Sequence, residues 1–88
     1  MTESIKQPFA TFGGAAVYRI TVQGTIPASW HERLAGMFVR IDKGREERDS
    51  KSVLEGILRD QSELSGVLDV LYHLHLPIVR IEQLDEAG

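Results

Sequence analysis

The sequence predicts an α+β domain of the ferredoxin-like kind, β-α-β-β-α-β, with a four-stranded antiparallel sheet in order 4-1-3-2 and two helices on one face. Three observations carry this prediction. Val17 to Gln23 alternates apolar and polar residues, and Met37 to Asp42 does so again behind a short helix signal. Ser52 to Leu84 then reads as strand, capped helix, proline stop and strand, a split β-α-β half.

Taken in order, residues 1–15 hold Pro8, Gly13 and Gly14 without any period and read as a flexible tail, with Phe9 and Phe12 its only anchors. One domain is expected over residues 16–84, followed by a short tail at 85–88. In the first strand Tyr18, Ile20 and Val22 face the core, whereas Arg19, Thr21 and Gln23 face away. Gly24 ends it. Ser29 and Glu32 have capping-box spacing behind Pro27, so a short helix is expected. Trp30 and Leu34, four apart, would drop onto the sheet together, and Gly36 suits a left-handed stop.

The second strand turns Met37, Val39 and Ile41 inward and Phe38, Arg40 and Asp42 outward. Residues 43–51 carry seven charges of both signs and no apolar anchor, which predicts a solvated hairpin loop before strand three at Ser52–Leu58. The helix spans residues 61–75. Leu64, Val67, Leu68, Leu71 and Leu74 form one stripe at 3.6-residue spacing, and Asp60 with Glu63 caps its start. His75-Leu76-Pro77 ends it, and the fourth strand follows from Ile78. Gly66 sits on the outer side of this helix, where packing on the sheet does not account for it.

The bulk numbers bound the function. Eighty-eight residues make one domain with one modest core. The absence of cysteine excludes disulfides and thiolate metal sites. A net charge of −3 argues against a general nucleic-acid binder. The N-terminus lacks the basic-then-apolar order of a signal peptide, and no run is long enough to span a membrane. A cytoplasmic protein with no membrane contact is the expectation.

Several segments resemble a family of small uncharacterised bacterial proteins of about this length. These are Tyr18-Arg19-Ile20 with Val22-Gln23-Gly24, Trp30, Gly36-Met37, Leu54-Glu55-Gly56, Asp60-Gln61, Leu64 to Leu68, and Leu74-His75-Leu76-Pro77. The likeness covers residues 17–84 and implies the same ferredoxin-like fold, with no activity attached. His75 stands where glycine is expected before Leu76-Pro77.

No catalytic, cofactor-binding or metal-binding residue emerges, and the chain is expected not to be an enzyme. Val22-Gln23-Gly24 is similar to the phosphate loop of acylphosphatases. The arginine and asparagine those enzymes need are missing: Thr25-Ile26-Pro27 follows, and the chain has no asparagine. His73 and His75 would lie about 200° apart on a helix, and His31 belongs to another element. Ser29, Ser62 and Ser65 lack a nucleophile elbow.

The outward sheet face is the better candidate. With Leu54 and Leu58 turned to the helices, Phe38, Val53 and Ile57 would form an apolar patch edged by Arg19, Arg40 and Arg80. These six residues are the expected interface. The opposite register, with a bulge at Gly56, would hide the patch. The expected function is a small non-enzymatic interaction module, homodimeric through this face, with a protein partner at loop 43–51. Fold analogy offers two alternatives: a small-molecule sensor of the ACT or PII-like type, and an RNA-binding module, for which Phe38 is the lone stacking aromatic.

Overall fold

The computed structural model describes residues 15–84, so the expected tails fall outside the described residues apart from Ala15. The chain runs β1 (Ala16–Gln23), a 3-10 segment (Ala28–Arg33), β2 (Phe38–Asp42), a second 3-10 segment (Glu47–Asp49), β3 (Lys51–Leu58), α1 (Gln61–His73) and β4 (Ile78–Leu84). Every strand pair is antiparallel, and the order is β2-β3-β1-β4.

The two-helix ferredoxin-like class is overturned. Counted from the β4 edge the strands do run 4-1-3-2, but only one α-helix is present among the described residues. The first crossover is a 3-10 segment whose N-cap, Pro27, makes no side-chain cap, so the Ser29/Glu32 capping box does not form. The reason is length. Pro27 stops the segment on one side, and Ala35 and Gly36, both at positive φ, stop it on the other. Six residues do not repay the cost of an α-helical nucleus, and a 3-10 turn serves instead. Leu34 behind it is nonetheless fully buried, and Trp30 packs on the same core.

That core consists of Tyr18, Ile20 and Val22 of β1, Leu54 and Leu58 of β3, Leu64, Val67 and Leu71 of α1, and Ile26, Leu34 and Met37 from the first crossover. The alternations in β1 and β2 and the stripe of α1 therefore face as their spacing predicts. Burial also pushes the Tyr18 hydroxyl pKa up. No bulge occurs at Gly56, where β3 pairs without interruption with Tyr18 of β1. The register break lies elsewhere, between Thr21 and Val22 against β4. Gly56 is a glycine because a Cβ there would stand 3.0 Å from the Met37 Cα.

The helix ends are built from side chains and backbone in turn. Asp60 accepts from the Glu63 amide at 3.0 Å, as an N-cap should. Glu63 reaches past Asp60 to accept from the Arg59 amide at 2.8 Å, and its carboxylate also pairs with the Arg59 guanidinium. These hydrogen bonds from the Arg59 side chain and backbone hold the Glu63 pKa below its usual value.

At the other end the His75 amide donates to Tyr72 and the Leu76 amide to Leu71, which is a Schellman motif. It places His75 at φ 61°, the left-handed position glycine would take without strain. Replacing His75 by Gly is expected to raise stability by about 0.5–1 kcal/mol in chemical denaturation. Gly66→Ala is expected to do the same, by about 0.5–1 kcal/mol, because an added Cβ there meets nothing within 4 Å. The mid-helix glycine is a tolerated weakness with no close neighbour behind it.

Candidate functional site: the open face of the sheet

Alternation sends Val17, Arg19, Thr21 and Gln23 of β1 to the face away from α1, and the strand registers arrange their neighbours in rows. One outer row is apolar: Ile57, Val17 and Leu84. The next runs Phe38, Glu55, Arg19, Glu82. The third runs Arg40, Val53, Thr21, Arg80, and the last holds Asp42, Lys51 and Gln23. The face is thus graded along the strands, apolar at one end and charged through the middle.

The second row is an ion-pair ladder. Arg19 Nε donates to Glu55 at 2.6 Å, and Arg19 Nη1 lies 3.6 Å from Glu82. Arg40 pairs with Asp42 along its own strand at 3.1 Å. Arg80 is held more loosely, 3.8 Å from Glu82. Such exposed pairs add little stability; their use here is to fix where charge sits on the face. Lys51 makes no ion pair among the described residues.

The six residues expected from the sequence do share this face, but in three different roles. Phe38 and Ile57 are exposed, at 78% and 59%, and lie diagonally across β2 and β3 at the apolar end. Val53 is only 5% exposed and forms part of the floor of a depression of about 430 Å³, walled by Arg19, Arg40, Lys51 and Arg80 and by the carboxylates of Asp42 and Glu82. The arginines edge this depression more than they edge an apolar patch. Glu55 and Glu82 went unrecognised as the partners of Arg19. Strand alternation puts them on the face, but only the register between strands reveals the pairing.

The charged loop is more ordered than its composition suggests. Glu46 and Asp49 cap the 3-10 turn reciprocally. The Gln23 side-chain amide donates to the Arg48 and Ser50 carbonyls at 3.0 and 3.2 Å, tying the loop to β1.

The histidines are dispersed. His31 Nε2 lies 3.4 Å from the Ile26 carbonyl, the His73 ring is tilted against Trp30 at 6.2 Å, and His75 closes the helix. Arg33 lies 4.7 Å above the Trp30 ring, so the cluster of Trp30, Arg33 and His73 clasps the 3-10 segment to α1.

Fold and face together define a small α/β protein with an antiparallel sheet covered on one side. A family model described as a domain of unknown function, DUF8691, matches residues 17–82, which run from the start of β1 into β4, and the chain belongs to that family. No curated protein and no solved structure matches it. Among the described residues, no helix is long and apolar enough to cross a membrane.

Proposed function

We propose that this protein is a non-enzymatic interaction module that works as a homodimer and makes its contacts through the open face of the sheet. One observation carries the reading: a whole sheet face lies uncovered among the described residues, and its apolar end presents Phe38 and Ile57 to solvent. Large exposed apolar residues side by side on such a face mark a contact surface. The ladder of Glu55, Arg19 and Glu82 limits how much of the face a second copy covers, because burying paired charges is costly. The contact is therefore centred on the corner formed by Phe38, Ile57, Val17 and Leu84. Loop 43–51, held by Gln23, is the proposed site for a further protein partner. We take the protein to be cytoplasmic and, from the likeness of its Tyr18-Arg19-Ile20 and Leu76-Pro77 segments, one of the small bacterial proteins it resembles.

Phe38→Asp and Ile57→Asp are each expected to break this contact and lower the mass by light scattering, with the fold retained. An unchanged mass would dismiss the contact.

The depression favours a second reading, sensing of a small anion. Arg19, Arg40, Lys51 and Arg80 outnumber Asp42 and Glu82 around it. Raised thermal stability with a phosphate- or carboxylate-bearing metabolite supports this reading, and a blank screen counts against it. RNA binding is not favoured, since Phe38 is the lone aromatic on the described face.

A further inference from the structure

Among the described residues a second surface lies open, and it differs in kind from the face. There β4 is terminal in the strand order and pairs with β1 alone. The other terminal strand, β2, is five residues long, and its Arg40 and Asp42 pair along the strand. β4 is seven residues long and reads Ile-Val-Arg-Ile-Glu-Gln-Leu, without the lysine or central proline that blunts an edge. Its Ile78, Val79 and Ile81 are 41%, 48% and 39% exposed. The cover that α1 gives the helix side of the sheet stops short of this strand.

We propose that β4 pairs with β4 of a second copy, antiparallel, about a two-fold axis through Ile81. Such an axis, perpendicular to the sheet, keeps each residue on its own face. It sets Ile81 against Ile81 on the helix side. On the open side it sets Arg80 against Glu82 of the partner, twice. The register is specified by charge. Moving the axis to Arg80 stacks arginine on arginine, and moving it to Glu82 stacks glutamate on glutamate, both unfavourable directly across a strand pair. Glu82 has capacity for this partner, since its contacts with Arg19 and Arg80 in the same chain, 3.6 and 3.8 Å, are long. The bulge opposite Thr21 and Val22 lies toward the start of β4, so pairing centres on Arg80, Ile81 and Glu82. The product is an eight-stranded sheet whose open face is continuous and, among the described residues, still uncovered. The inference goes beyond the homodimer proposed above by using a different surface, and with both contacts made two such homodimers join through β4.

The test is a charge complementation. Arg80→Glu alone turns both cross-strand pairs into facing carboxylates, and Glu82→Arg alone turns both into facing guanidiniums. Each should weaken the edge contact roughly tenfold, seen as a fall in mass by light scattering relative to the unaltered protein. An equimolar mixture of the two variants restores both opposite-charge pairs and should regain the mass of the unaltered protein. Either variant keeping the full mass, or a folded mixture remaining at the mass of the single variants, overturns the proposal. Hydrogen exchange on the unaltered protein needs no variant: β4 amides should gain protection as concentration rises through the association range, and constant protection counts against the edge. Loss of mass with Phe38→Asp but not with the β4 variants keeps the homodimer and removes the edge contact. The reverse pattern keeps the edge and removes the face contact, whereas a one-chain mass for the unaltered protein removes both.

Discussion

Replacing Leu71 by alanine is expected to destabilise the fold by about 3 kcal/mol, within the ~2–5 kcal/mol seen for buried leucine truncations. Leu71 is fully buried on the stripe that faces the sheet, among Ile20, Leu54, Leu58, Leu64 and Val67. Its carbonyl also receives the Leu76 amide in the turn that leads to β4. A single α-helix covers the described core, so no second helix can shift to fill the void. The neighbouring stripe residue Leu68 is only half-buried, and Leu68→Ala should cost about 1 kcal/mol. Denaturant unfolding would register both as a lower midpoint at unchanged slope. Equal losses at the two positions would mean that α1 docks on the sheet through a different stripe.

Those helix residues were legible because their signal is local. A 3.6-residue period, an aspartate at the N-cap and a proline after the stop can each be read without knowing what lies across the sheet. The same holds for β1 and β2, whose alternation sets the faces of Tyr18 and Arg19 or of Met37 and Phe38. The missing first helix shows where local signals mislead. Ser29 and Glu32 have the spacing of a capping box, yet Pro27, Ala35 and Gly36 leave only six residues between stops, and the shorter 3-10 form wins. His75 shows the converse. Its residue type argues against a left-handed stop, yet two backbone hydrogen bonds hold it there. The candidate face was half legible. Alternation places Arg19, Phe38, Arg40, Ile57 and Arg80 on it, but the Arg19–Glu55 pair and the burial of Val53 depend on register, a long-range property. The under-covered β4 edge was illegible for the same reason, since strand order and the reach of α1 across the sheet are long-range too.

Ser52 presents the strongest such long-range effect, and Ser52→Ala is expected to cost about 2–3 kcal/mol. In the sequence it is merely a small polar residue opening a strand. In the structure it is fully buried, and its hydroxyl donates to the Gly24 carbonyl at 2.8 Å while accepting from the Ile26 amide at 3.0 Å. Those two backbone groups belong to the turn that leaves β1. Gly24 takes φ +107° there, with Leu76 so near that a Cβ would stand 2.9 Å from its Cδ2. The Gly24 amide in turn donates to the Ser50 carbonyl, and the Gln23 amide to the Pro77 carbonyl. The start of β3 and the link from α1 to β4 thus both bond to the end of β1, next to the turn that the buried hydroxyl holds. Alanine removes the oxygen and leaves a buried donor and a buried acceptor without it, a larger loss than the net value of either hydrogen bond. Ser50 supplies the control. It is also buried, but its side chain makes no hydrogen bond among the described residues, so Ser50→Ala should change stability by less than about 0.5 kcal/mol. Similar costs at the two serines, measured by equilibrium unfolding, would show that burial of a small side chain, and not the bridging hydroxyl, sets the stability of this turn.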